Sequence, residues 1–191
     1  MKYVLLMLNV FISISAFALN FEVDGYCYNK LTDTTCALIL PTGNGALSYY
    51  TGNVVIPEKV SYLGVDYTVT TIASCAFSIS ATSGFNDELL SVVLPSSLEY
   101  INTNAFRGCR KLTSIVIPSG VKEVGYTAFA ECFKISEVTL EEGSEPISFT
   151  CGNTPQRGVF SDCPLKKIFI GRNIKLKLYY RYRRLMRPNE R

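Results

Sequence analysis

The sequence predicts a solenoid, mainly β, built from short strands joined by tight turns and 3-10 segments and preceded by an antiparallel β-cap. Three observations predict it. Leu89-Leu90-Ser91-Val92-Val93-Leu94-Pro95 returns 23 residues later as Leu112-Thr113-Ser114-Ile115-Val116-Ile117-Pro118. The pattern starts again at Ile135, after a further 23. Within each run apolar residues alternate, and in two of the runs a proline, which cannot donate to a strand ladder, closes it. A fixed period in the range of roughly 20–50 residues marks stacked repeats, none of which buries its apolar side alone.

Composition supports a folded body. Of 191 residues, 48% are hydrophobic and 18% charged, which is too apolar for a disordered chain. The net charge of +3 is unevenly spread. Eight of the 19 basic residues and one of the 16 acids lie in 172–191, so the rest carries −4. That leaves no broad basic footprint for nucleic acid. The chain has no histidine, which excludes Ser-His-Asp and Cys-His catalysis and His-ligated metal. No cofactor motif is present, and the reading is non-catalytic.

Residues 1–18 read as an export signal: Lys2, an apolar stretch from Val4 to Phe17, then Ala16-Phe17-Ala18 as a small-x-small site. The stretch is shorter than the ~20 residues needed to cross a bilayer, and no other segment is long and apolar enough. The expected location is therefore the periplasm, the cell surface or the exterior. Residues 19–70 are expected to hold the β-cap and the first repeat strand. Phe21-Glu22-Val23 and Tyr26-Cys27-Tyr28 flank the turn Asp24-Gly25, and Ala37-Leu38-Ile39-Leu40 is placed to pair with them. Pro41-Thr42-Gly43-Asn44-Gly45 marks another turn.

Repeats are expected over 71–174. The first begins at Val54-Val55-Ile56-Pro57 and is split by an insert at 61–69; a second insert falls near 78–87. Residues 89–111 and 112–134 are regular. The next repeat carries an excursion at 143–158, and a last partial one starts at Leu165. In 112–134, Ile115 and Ile117 should point inward and Ser114 and Val116 outward. Val121, Val124, Ala128, Phe129 and Cys132 should return to the core, with Gly125 permitting a tight turn.

The pattern S-[IV]-x-[IL]-P-x-x-[VL]-x-x-[IV]-x-x-x-A-F-x-x-C resembles the BspA-like leucine-rich repeats of secreted and surface proteins in Bacteroides-type bacteria. Ser114-Ile115-Val116-Ile117-Pro118, Val121, Val124-Gly125, Ala128-Phe129 and Cys132 carry the likeness. So do Val92-Val93-Leu94-Pro95, Leu98, Ile101, Ala105-Phe106 and Cys109. It covers about 21–174. It implies a leucine-rich-repeat solenoid, a role in adhesion or protein binding, and no shared catalytic site. The excursion after Glu142 and the basic tail at 175–191, which interleaves tyrosine and arginine, match no repeat. That ending leaves a second reading, a structural fragment of a longer repeat protein with no independent function.

The candidate binding face is the outward side of the repeated strand. Val93, Val116, Thr139 and Phe169 form one column; Ser91, Ser114, Glu137 and Lys167 form its neighbour. An apolar column beside a polar one suits contact with a protein or glycan ligand, by a chain expected to be monomeric. The other candidates carry less. Cys109, Cys132 and Cys163 share one repeat position and read as small buried apolar side chains, with Cys75 outside that ladder. A disulfide between Cys27 and Cys36 is open, since export would allow it. Glu141, Glu142 and Glu145 read as a solvated acidic turn.

Overall fold

The computed structural model describes residues 20–41, 50–78, 85–152 and 158–178. The predicted signal at 1–18, the turn residues 42–45 and the tail beyond 178 lie outside them. No helix, α or 3-10, occurs among the described residues, and the half-repeats close through turns.

Two strand ladders, numbered in chain order, form the opposite sides of the solenoid. The first holds β4 (Gly52–Val55), β7 (Leu89–Val93), β9 (Ser114–Ile117), β11 (Glu137–Leu140) and β13 (Lys167–Ile170). β4 pairs with β7, and β11 pairs with β9 and β13, all parallel; β7 packs beside β9. The second holds β6 (Val65–Ile72), β8 (Tyr100–Ile101), β10 (Glu123–Val124), β12 (Ile147–Cys151) and β14 (Ile174–Leu178), also parallel.

At the N-terminal side, β2 (Tyr26–Lys30) pairs antiparallel with both β1 (Asn20–Val23) and β3 (Thr35–Ile39), and β3 joins β6 in parallel. Asp24 and Gly25 both have positive φ, as a type I′ hairpin requires. The insert expected at 61–69 is itself a hairpin of this kind. β5 (Lys59–Tyr62) turns through Leu63 and Gly64, both at positive φ, and pairs antiparallel with β6. Phe21 meets Tyr28, Tyr62 and Tyr67 at ring-centroid distances of 5.5, 4.7 and 5.2 Å.

The excursion expected at 143–158 is narrower than predicted. Residues 147–151 are β12, with Ser148 opposite Glu123 and Phe149 opposite Val124. The periodicity hid this strand because Ile147 follows Leu140 by seven residues, whereas Val121 follows Ile117 by four. β14 carries the second ladder beyond Ile174.

The core lies between the ladders. Ile115, Ile117, Val138 and Leu140 fill it from one side, with Leu98, Ile101, Val121, Val124 and Ile147 beside them. At the turn end runs a spine of aromatic rings. Tyr26, Tyr50, Phe77, Phe106, Phe129 and Phe160 follow one another at 5.3, 5.0, 4.5, 5.0 and 5.2 Å. Those distances match the ~4.7–4.9 Å rung spacing set by backbone pairing. Backbone bonds lock the turns themselves: Phe77 N donates to Ala105 O, Phe106 N to Ala128 O and Phe129 N to Val159 O.

Each turn needs left-handed backbone at fixed places. Cys75, Asn104 and Thr127 have φ of 60, 57 and 51° and each precedes the Ala-Phe pair. Gly108, Glu131 and Asp162 repeat the requirement two residues after the ring. Gly125 serves a different need from the predicted one. A Cβ there would sit 2.5 Å from Thr103 N, so glycine is required for close approach of two rungs.

Candidate functional site

The register assembles the predicted columns from separate strands. Ser114 lies opposite Glu137, and Glu137 opposite Lys167; Val116 lies opposite Thr139, and Thr139 opposite Phe169. On β4 and β7, Asn53 faces Ser91 and Val55 faces Val93, which extends the Ser91 and Val93 positions by one strand. Val55, Val93, Val116 and Phe169 are all exposed, while Thr139 is partly covered. β-Branched residues suit this half-buried pleat, and their inward neighbours anchor it: Ile115 and Ile117 are buried directly alternate to Ser114 and Val116.

The polar row is internally bonded. Ser91 Oγ donates to Asn53 Oδ1 at 2.7 Å, and Lys167 pairs with Glu137 at 3.7 Å. Its charges largely cancel, so the face presents an apolar stripe beside a nearly neutral polar one. At the strand ends, Ser96 Oγ bonds to Glu58 Oε1, and Ser119 N donates to Glu141 Oε2 at 3.1 Å. Arg172 is buried and donates to the carbonyls of Ser119 and Pro118. Burial lowers the pKa of its guanidinium, and Glu141 works against that shift. No group of three or more His, Cys, Asp or Glu able to hold a metal occurs among the described residues.

The cysteine position is not the passive apolar ladder that the sequence predicts. Cys109 Sγ donates to Phe77 O at 3.7 Å, Cys132 Sγ to Phe106 O at 3.1 Å and Cys163 Sγ to Phe129 O at 3.0 Å. Each thiol thus serves the carbonyl of the ring residue one rung back. The ladder has a fourth member that the sequence reading placed inside an insert. Asn86 stands 23 residues before Cys109 and bridges to it. Fully buried, it donates to Tyr50 O at 3.0 Å and Phe77 O at 3.1 Å and accepts from Glu88 N and Leu89 N at 3.0 Å. The 23-residue offset was the signal that could have found it.

Two of the ladder thiols, Cys132 and Cys163, are shifted towards the neutral form. The neighbouring thiol, Cys109 beside Cys132 and Cys132 beside Cys163, raises each above the ordinary thiol value, and burial adds to this. Burial alone pushes Cys36 up to about 12. A Cys27–Cys36 disulfide does not fit the register. Cys27 lies opposite Ile39 and Cys36 opposite Lys30, three positions apart and on opposite faces, and both thiols are free. Cys75 stands apart from the ladder, in the left-handed position before Ala76.

One exposed cluster escaped sequence reasoning. Arg110 binds Asp87 through Nε at 2.7 Å and through Nη2, and its guanidinium lies 4.2 Å from the Phe85 ring. Phe85 in turn meets Phe133 at 6.1 Å, and both rings are exposed. Arg110 holds the Asp87 carboxyl below its usual range. Phe85 and Phe133 are 48 residues apart, so only stacking brings them together.

Repeated parallel rungs, a donor side chain under each turn and a continuous ring spine define a leucine-rich-repeat protein. Residues 78–154 match the BspA type leucine rich repeat region in six copies, so that stretch is similar to repeats of the BspA type. Two solved structures share the fold. A leucine rich cell surface protein from Faecalibacterium prausnitzii aligns at 22% identity and a TM-score of 0.53, over 79% of this chain and 42% of its own. A leucine-rich repeat protein from Bacteroides capillosus aligns at 21% identity and 0.55, over 78% and 96%. The chain therefore spans less than half of the Faecalibacterium protein. Among curated proteins nothing matches the chain.

Proposed function

We propose that the chain is a non-catalytic binding module of the cell surface that engages a protein ligand through the first strand ladder. One observation carries the reading: the paired strands β4 and β7, and beside them β9, β11 and β13, turn Val55, Val93, Val116 and Phe169 outward and exposed, with Thr139 partly covered among them, and none of these side chains feeds the core. An apolar stripe rimmed by satisfied polar groups suits an interface centre, where apolar contact supplies affinity and the rim excludes water. The family and the Faecalibacterium cell surface protein support a surface location. No helix among the described residues is long and apolar enough to cross a membrane.

The test is binding to immobilised host-matrix and bacterial-surface protein preparations. Val116→Arg and Phe169→Arg each place a charge in the row, and both should weaken binding at least about tenfold, the effect of roughly 1.4 kcal/mol. Lys122→Glu, at the residue just before β10 on the opposite side, should not. Wild-type binding by both folded arginine variants would sink the strand-face reading.

A further inference from the structure

A second site lies on the other ladder, where β8 and β10 leave it for the turns. A cleft of about 210 Å³ opens there, and its wall carries Ser74, Asn102, Thr103, Glu123, Tyr126 and Thr150. We propose that it binds one neutral, hydroxyl-rich ring, a sugar residue of a glycan.

The lining chemistry selects that class. Four hydroxyl side chains and one amide line it, groups that can both donate and accept, although the Thr150 proton is already given to Glu123. The single carboxylate is already balanced: Glu123 Oε1 accepts from Thr150 Oγ1 at 3.0 Å, and Oε2 accepts from Lys177 Nζ at 2.8 Å. A cleft with many hydrogen-bonding groups and a compensated charge favours neither a cation nor an anion. The volume lies below the range of roughly 300–1,000 Å³ that takes drug-sized ligands, and so suits a single ring.

The walls are also fixed before any ligand arrives. Asn102 N donates to Ile72 O at 2.9 Å, Gly125 N to Ile101 O at 2.7 Å and Asn104 N to Tyr126 O at 3.1 Å. Groups held this way lose little freedom on binding. The site is independent of the strand-face reading, and either can fail without the other.

The test titrates the full chain with glucose, galactose, mannose and N-acetylglucosamine, each to about 100 mM, enough to detect weak millimolar sites. Amide shifts are followed by NMR. Saturable shifts at Asn102, Thr103, Gly125 and Tyr126 are expected for at least one sugar. Ser74→Phe, at an exposed position, should fill the cleft and abolish them. Thr150→Val, which keeps the shape and removes one hydroxyl, should weaken them about tenfold. Val116→Arg should leave them unchanged. The proposal is overturned if none of the four sugars gives a saturable shift, if the shifts survive Ser74→Phe, or if calcium chloride gives the saturable response in place of sugar.

Discussion

The middle rungs and the last described rung use the same residues to different effect. Ile115 and Ile117 on β9 are 2% and 0% exposed, whereas Ile168 and Ile170, two strands on in the same register, are 53% and 56% exposed. Leu176 and Leu178 on β14 are exposed as well. Nothing in the side chains differs. Burial in a stacked fold comes from having a neighbour on both sides, so stability is a property of interfaces between rungs more than of any one rung.

The largest test of that contrast is in the ring spine. Phe106 is fully buried with a ring on each side, and Phe106→Ala should cost about 3–5 kcal/mol by chemical denaturation. Phe160→Ala, at a partly covered ring, should cost less than half as much. Equal losses would mean that position along the stack does not matter.

The donor ladder gives the next effect. Asn86→Ala leaves the Tyr50 carbonyl and two backbone N–H groups without their side-chain partner, and the Phe77 carbonyl with only the Cys109 thiol, at a cost of about 3 kcal/mol. Asn86→Cys places at 86 the donor that the next rung uses at 109. It should recover part of the loss, because a thiol replaces the donor but not the acceptor. The same melting curves would show whether it does.

Ile115→Ala should cost about 2–5 kcal/mol and Ile168→Ala less than about 1. A matching loss at Ile168 would show that its side is covered in solution.

Alkaline pH should weaken the core more gradually. A thiol raised by burial binds its proton more tightly in the folded chain, so its contribution is complete below the ordinary value of 9.0 and is lost above it. Stability should therefore fall from about pH 9 towards pH 12, the folded value for Cys36, by up to about 1.4 kcal/mol per pH unit for each such thiol. Tyr28 and Tyr50, raised chiefly by burial from 10.0, add to the same fall above pH 10. Denaturation midpoints at pH 7, 9 and 10.5 would check the sign.

The smallest effect is at the left-handed turn position. Cys75→Asn installs there the residue that Asn104 already supplies, and asparagine tolerates positive φ better. A gain of about 0.5 kcal/mol in thermal melts is expected.

Much of this architecture was legible from one period. The alternation in 112–134 placed Ile115, Ile117, Val121, Val124, Phe129 and Cys132 inside, because strand geometry and a fixed repeat leave little choice. The two outward columns followed from the same alternation. What stayed hidden depended on contacts between rungs. Asn86 looked like loop because its partners, Tyr50 and Phe77, belong to other turns. β12 was masked by a longer connection. The cleft and the Phe85–Arg110–Phe133 cluster draw on residues of different repeats, and no local pattern announces them.

The thiol ladder also turns the chain into its own recorder of motion. A maleimide reagent attacks only the thiolate, and a thiol bonded to a carbonyl inside the stack must come free before it can react. Cys163 is partly exposed, while Cys132 and Cys109 are buried. Alkylation should therefore proceed in that order, each rate reporting how often its own turn opens. The chain would read out where it frays, rung by rung, through thiols it already carries.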